Sequence, residues 1–353
     1  AGELLPPDET AAVRLRGLLD YRRYHKLHST YLQPLPEFTA YDGRIHASWN
    51  LSVGEFGGAR TGRTSCRSPN LQNIPNPRPG LPNLRTMFVA SNGYRWGDTD
   101  YSGLEMRIIA DLAEESSLIE MFEQGWDIHG AMMARLQGRE YEEIVGILDD
   151  KDHPEYVAMK LKRLFTKTLS FLILYGGGPG KAAATAKQQG IDMNYQQAQQ
   201  EIYEYFERFP NIKKWIDKTQ ETVRRVGEIR TPTLRRRVLP GAGGNGPIAW
   251  RKLRQGVNSP IQSFASEITL CGMLLLDLAF KGNHGCFKEG DVHLLLNVHD
   301  MVAYEYKGIP DHTMRGVVHE IMELEVPKEI ESRFGYKLKV PLAVDTHLGT
   351  RWQ

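Results

Sequence analysis

Residues 160–176 read KLKRLFTKTLSFLILYG, and the rest of the chain is organised around this stretch. Arg163, Lys167, Phe171 and Tyr175 recur at a strict spacing of four. On an α-helix that spacing makes a slowly drifting stripe, roughly 18 Å long at about 1.5 Å per residue. A second stripe, Leu161, Leu164, Phe165, Thr168, Leu169 and Leu172, has the 3–4 spacing of a core-facing surface. One helix would thus bury one face and offer a guanidinium, an ammonium and two rings on the other. That order suits a triphosphate at one end and a base at the other. An ordinary amphipathic surface helix has the same pattern, so the choice falls to the neighbouring segments.

Composition narrows the classes. A chain of 353 residues can hold two or three sub-domains and a substantial core. No stretch reads as long and apolar enough to cross a bilayer, and AGELLPPDET at the start lacks the basic end and apolar core of a signal peptide. The reading is therefore of a protein without a membrane partner. Cys66, Cys271 and Cys286 are odd in number and make no metal-ligand spacing, which suits a reducing compartment. Net charge is only +1, but the basic residues cluster: Arg60, Arg63 and Arg67; Lys160, Lys162, Arg163 and Lys167; Arg235 to Arg237; Arg251, Lys252 and Arg254. A local basic face on a near-neutral chain is compatible with a polyanionic ligand.

In order along the chain, Asp8 is expected to cap a helix running to about Tyr31, with Val13, Leu15, Leu18, Leu19 and Tyr21 among its apolar residues. Residues 42–52 alternate like a strand. Residues 54–85 read as a long polar loop whose TGRTSCRSPNLQNIP fits minor-groove and phosphate contacts. Residues 94–100 read as a strand and 102–113 as a helix, with Ser102 and Glu105 at the spacing of a capping box. Asp100 ends that strand just ahead of the helix, a frequent place for a metal-binding carboxylate. Residues from about 114 to 250 read mainly helical. Within them GGGPGK at 176–181 follows a helix and has Ala182 where a phosphate loop needs Ser or Thr, so it reads as a helix stop and tight turn. Residues 227–240 look like a short hairpin with a basic turn. A long helix from about Ala249 to Phe280 carries Arg254, Asn258 and Gln262 at a spacing of four, and Pro260 predicts a kink or a break near Asn258. Residues 293–306 read as a hairpin with Asp300 at or beside its turn. The tail predicts an amphipathic helix near 313–324 and a strand near 338–344.

In this order the pieces resemble the polymerase region of the family A DNA polymerases, the group of bacterial DNA polymerase I and the phage replicative enzymes. The family's first motif appears as Asp100-Tyr-Ser-Gly-Leu-Glu105-Met-Arg107, its second as the helix from Arg163 to Gly176, and its third as Val298-His299-Asp300. Thr61-Gly62-Arg63, residues 69–75 and the trio Asn258, Pro260 and Gln262 match further family stretches, in family order, over nearly the whole chain. The resemblance implies an α+β, right-hand polymerase with an antiparallel-sheet palm and helical fingers, its thumb mostly absent. Residues 1–46 would form the thumb base and palm entry, 47–112 the first part of the palm, 113–250 the fingers and 251–353 the second part of the palm.

The same resemblance implies a template-directed DNA polymerase that adds dNTPs to a primer 3′-hydroxyl using two Mg²⁺ ions, with Mn²⁺ as a substitute. Asp100, Asp300 and the backbone carbonyl of Tyr101 would hold the ions. Arg163 and Lys167 would bind the triphosphate, Lys167 also donating a proton to the leaving pyrophosphate, and His129 would contact the β-phosphate. Glu105 and Tyr175 would exclude ribonucleotides, and Phe171 would govern tolerance for sugars lacking a 3′-hydroxyl. Arg63, Asn70, Gln72, Arg254, Asn258, Gln262 and His299 would line the minor groove near the primer end. Primer-template DNA and dNTPs are the implied partners, in the cytoplasm of a bacterial or phage-infected cell.

Two departures carry expectations of their own. Met301 stands where the family usually continues its third motif with Glu, which predicts altered metal affinity or metal choice. The stretch that precedes residue 21 in the family, an exonuclease or exonuclease-like domain and most of a thumb, has no counterpart here. That predicts a truncated or split enzyme without proofreading and with weak DNA binding, joined by a separate exonuclease or thumb polypeptide or a processivity factor. Gly103, where bacterial members commonly have Gln, points to a phage. Two other readings share parts of the pattern: a single-subunit RNA polymerase, and a catalytically silent DNA-binding remnant.

Overall fold

The computed structural model describes residues 9–51, 58–77 and 80–353. Asp8 and the end of the strand expected over 42–52 lie outside the described residues. Helix α1 (Glu9–Leu27) passes through a π-turn and a 3₁₀ turn into strand β1 (Ser48–Asn50), which pairs antiparallel with β2 (Ser65–Arg67). Two 3₁₀ turns, Leu71–Asn73 and Leu84–Met87, bring the chain to β3 (Arg95–Tyr101) and helix α2 (Leu104–Ala113). A helical lobe follows: α3 (Ser116–Glu123), α4 (Ile128–Gln137), α5 (Tyr141–Asp149), α6 (Tyr156–Leu174), α7 (Pro179–Gln188), α8 (Tyr195–Arg208) and α9 (Pro210–Val226). The hairpin β4 (Glu228–Arg230) and β5 (Arg236–Val238) leads to the long α10 (Pro247–Leu278). Strands β6 (Val292–Val298) and β7 (Met301–Tyr306), helices α11 (Asp311–His319) and α12 (Val326–Phe334), and strand β8 (Val344–Gly349) complete the chain.

The organising sheet is antiparallel, in the order β6-β7-β3-β8, so β3 is flanked by β7 and β8. Side chains alternate across it. On one face Tyr101, Val302, Tyr304 and Tyr306 pack with α2, α10, α11 and α12 in the main core. The Tyr304 ring lies directly on Gly97, where a Cβ would collide with it. On the other face Trp96, Met301 and Ala303 pack with Leu71, Ile74, Leu84 and Trp352, which ties the long polar loop down onto the sheet. Buried Glu305 also points to this side, where Arg44, Ser91 and the Ser91 backbone N–H neutralise it.

Several expectations are corrected. The strand over 42–52 shrinks to β1 and an isolated bridge between Thr39 and Ile45. Val13, Leu15, Leu18, Leu19 and Tyr21 are exposed, and α1 reaches the body through Leu27 and through Tyr24, whose hydroxyl donates to the Gly80 carbonyl at 2.9 Å. Leu164, placed in the core stripe of α6, is 45% exposed, while Phe165, Leu169 and Leu172 are buried. Pro260 does not break α10, which runs on to Leu278. With its following π-turn this helix is long and apolar enough to cross a membrane, contrary to the sequence reading, and more than half of its most apolar window is buried in the protein. The last strand begins at Val344, beyond most of the predicted span. Residues 339–343 have their backbone groups engaged elsewhere: Lys339 N–H with Asp111, the Pro341 carbonyl with Arg107, and the Ala343 carbonyl with Ser102 N–H.

Candidate active site

The site forms where β3 ends. Its last residues pair with the β6–β7 hairpin, whose two-residue turn is His299-Asp300, with His299 at φ 56°. Tyr101 N–H donates to the Asp300 carbonyl at 3.3 Å, so Asp100 and Asp300, two hundred residues apart, become neighbours. Partial burial, which penalises the charged form, holds the carboxyl of each above the usual carboxylate range. In Asp100 the charges of Asp300 and Asp345 add to this, and Arg85 opposes it. Neither carboxylate has a hydrogen bond or ion pair among the described residues, and Asp300 Oδ1 is buried without a partner. Two unpaired hard oxygen donors with raised proton affinity fit a divalent cation, which Mg²⁺-type sites hold with one or two carboxylates plus water and substrate oxygens. Among the described residues no three His, Cys, Asp or Glu side chains form a ready metal cage.

The turn is held from behind by a residue that sequence reasoning missed. Asn297 is buried in the apolar run of β6, and its Nδ2 donates to the carbonyls of His299 (3.1 Å) and Met301 (2.9 Å). Its Oδ1 accepts from Thr64 Oγ1 at 2.6 Å, and Gln72 Nε2 donates to Thr64 Oγ1 (2.7 Å) and to the Asn297 carbonyl (3.2 Å). Gln72, expected in the minor groove, is thus buried with its amide nitrogen committed internally. The signal available in sequence was a lone Asn in LLLNV, since a buried amide in an apolar strand needs partners.

Beside the carboxylates runs a chain of four predicted residues. Arg63 Nη2 donates to Glu105 Oε1 (2.8 Å), the Tyr175 hydroxyl donates to Glu105 Oε2 (2.9 Å), and Gln262 Nε2 donates to that hydroxyl (3.0 Å). The capping box fails: α2 is capped by Gly103 in the left-handed conformation with no side-chain cap, which frees Glu105 for this cluster. Burial, with the Glu105 charge beside it, pushes the Tyr175 phenol up. Arg254 lies over Gly176 at the end of α6, and the half-buried side chain of Asn258 sits beside the Tyr175 hydroxyl. Asn70 is exposed just ahead of the 3₁₀ turn Leu71–Asn73, and His299 is exposed at its hairpin turn.

Helix α6 reaches this cluster through Tyr175 at its C-terminal end. Arg163 makes a two-bond fork with Asp127, both contacts 2.6 Å, and Asp127 Oδ2 also caps α4 at Gly130 N–H. Burial alone would raise the Asp127 carboxyl, but the Arg163 guanidinium outweighs it and holds the group below its ordinary value. Lys167 is exposed, with no ion pair among the described residues. His129, on α4, sits 6.3 Å from the Phe171 ring with its Nδ1 buried and unpartnered. Burial first, then the charges of Lys167 and Arg163, push it down to about 4, so it is neutral at pH 7.

Comparison with known proteins bears on the family and the fold. The sequence model of the family described as DNA polymerase family A matches residues 8–353. The chain is 32% identical over 336 residues to DNA polymerase I of Helicobacter pylori, covering 95% of this chain and 33% of that protein. It is 33% identical over 338 residues to DNA polymerase I of Chloroflexus aurantiacus (95% and 32%), and 32% identical over 337 residues to the thermostable DNA polymerase I of Thermus filiformis (95% and 36%). Among solved structures, the POL domain of Pol1 from M. smegmatis, in complex with DNA primer-template and dNTP, superposes with a TM-score of 0.77 at 29% identity. That match covers 96% of this chain and 53% of the other. The chain spans about a third of the length of the three polymerases.

Proposed function

Because the chain belongs to DNA polymerase family A, we propose that it is a template-directed DNA polymerase that extends a primer 3′-end with dNTPs. The observation that carries this reading is the meeting of Asp100 and Asp300 through the Tyr101–Asp300 backbone contact, beside the Arg63–Glu105–Tyr175–Gln262 chain. In the reaction the primer 3′-oxygen attacks the α-phosphorus of the dNTP and pyrophosphate leaves. Asp100, Asp300 and the Tyr101 carbonyl are the groups that would hold divalent cations, Mg²⁺ first and Mn²⁺ as a substitute. Bound there, such cations supply positive charge to the reacting phosphate oxygens.

The chain's own residues then orient the substrates. Lys167, exposed and without an ion pair among the described residues, meets the triphosphate and gives a proton to the departing pyrophosphate. Arg163 joins it by exchanging Asp127 for phosphate oxygens, and neutral His129 offers a hydrogen bond. Phe171 stacks near the sugar and base, and its identity implies discrimination against dideoxynucleotides. Glu105, fixed by Arg63 and Tyr175, fills the space a 2′-hydroxyl would need. Arg63, Asn70, Arg254, Asn258, Gln262 and His299 face the primer-template minor groove, whose acceptors look alike for all correct pairs. Gln72 contributes through the Asn297 turn. The palm comprises residues 47–112 and 251–353, the fingers 113–250, and residues 1–46 enter from the thumb side. The enzyme works in the cytoplasm of a bacterial or phage-infected cell, where a processivity factor would assist it.

Primer extension with Mg²⁺ tests the proposal. Expected is incorporation of dNTPs and not NTPs, abolished in Asp100→Ala, with Glu105→Ala admitting ribonucleotides. Duplex binding without incorporation would establish a silent DNA-binding remnant instead, and NTP incorporation by the unaltered chain an RNA polymerase.

A further inference from the structure

Asp100 has a cross-strand neighbour on each side of β3. On the β7 side it is in register with Met301, whose side chain is buried in the smaller core and offers no hard oxygen. On the β8 side it is in register with Asp345. Paired residues of an antiparallel sheet share a face, with Cβ atoms about 5 Å apart, and like charges set directly opposite are destabilising. Asp345 is exposed and, among the described residues, has no hydrogen bond or ion pair; its charge is one of those felt by Asp100. Two carboxylates without a hydrogen bond or ion pair among the described residues therefore face each other across adjacent strands, with only the more distant charges of Arg85 and Arg107 opposing them and the unpartnered Oδ1 of Asp300 beside them. A fold does not gain from this arrangement by itself. A cation above the strand ends removes the repulsion, and a six-coordinate ion held by two carboxylates still has positions filled by water.

We propose that Asp345 is a positioning residue of the cation site, holding from the β8 side the water shell of a divalent ion bound by Asp100 and Asp300. This rests on the metal-dependent polymerase reading above. Asp345 supplies the third negative charge of the site from the opposite flank to Met301. Groups that orient a metal's first ligands typically change its affinity about 10- to 100-fold when removed.

The test is Mn²⁺ binding to the full chain without DNA or nucleotide, read from the paramagnetic signal of the free ion. Asp345→Asn should weaken Mn²⁺ about tenfold. Asp345→Glu, which keeps the charge, should stay much closer to the unaltered protein, and Asp100→Asn should lose the site. Without metal, Asp345→Asn should melt at or above the parent temperature, because a like-charge pair has been removed. If the amide variant does not fold, Asp345→Ser takes its place in the same titration. Unchanged Mn²⁺ affinity in the folded Asp345 variant, with binding lost in Asp100→Asn, overturns this inference alone. Unchanged affinity in Asp100→Asn as well overturns the metal reading of the whole site.

Discussion

Replacing Asn297 by alanine is the most direct probe of how the site is held. The substitution removes three side-chain hydrogen bonds, one from Thr64 Oγ1 (2.6 Å) and two to the carbonyls of His299 (3.1 Å) and Met301 (2.9 Å). At about 1 kcal/mol net for each, the loss is roughly 3 kcal/mol. A chain of 353 residues unfolds with an entropy of about 0.7 kcal/mol per kelvin, so Tm should fall by about 4 °C. Asn297→Asp should do worse, because it keeps the acceptor for Thr64 but turns a carboxylate toward two carbonyls. Thermal melting followed by circular dichroism measures this part. The functional part is larger, because the bonds fix the turn that carries Asp300. A displacement there of about 1 Å would slow primer extension about 100-fold at 25 °C, where the variant remains folded. A Tm drop below about 1 °C with unaltered extension would refute the reasoning, and would mean that the β6–β7 ladder alone sets the turn.

Gly97→Ala should destabilise the protein by about 1–3 kcal/mol, since the new Cβ meets the Tyr304 ring inside the core; urea unfolding measures it. Leu169→Glu should abolish folding or cost more than about 3 kcal/mol, whereas Leu164→Glu on the same helix should cost under about 1 kcal/mol, because Leu169 is buried and Leu164 half open. The neutral state of His129 predicts a pH effect. Its folded value, about 4, lies below the ordinary 6.5, so the unfolded chain takes up the proton first and stability is lost as pH falls from about 6.5 toward 4. Melting curves of His129→Gln against the parent should diverge through that window and run parallel above it.

Much of this was legible in the sequence, and the exceptions have local causes. The period of four in α6, the strand ahead of Asp100 and the hairpin around Asp300 follow from patterns that one element carries within itself. Leu164 broke the pattern because a 3–4 stripe does not say how wide the buried face is. The capping box at Ser102 lost because Gly103 takes a left-handed cap and Glu105 finds Tyr175 and Arg63 instead. The last strand slipped because side chains and backbone near α2 engage the carbonyls and N–H groups of residues 339–343. Asn297 and Thr64 were invisible as a pair, since 233 residues separate them and only the fold brings them together.

Arg163 and Lys167 carry equal charge in the sequence, yet the structure gives them unequal work. Arg163 is already satisfied by a forked carboxylate, so an anionic ligand must displace Asp127 before the guanidinium can bind it. The gain from that contact is the difference between two charge-assisted forks, and it is smaller than for a free guanidinium. Among the described residues Lys167 has no such partner, so under the proposed function its interaction with an incoming phosphate would be offset only by its own hydration. Asp127 in turn caps α4, the helix that carries His129, so release of Arg163 leaves the cap in place while changing the charge beside the imidazole. Under the proposed function a phosphate entering over α6 would meet Lys167 first, and engagement of Arg163 would couple to His129 through the Asp127 carboxylate. The order of contacts follows from which charges are already paired, which the spacing of four cannot express.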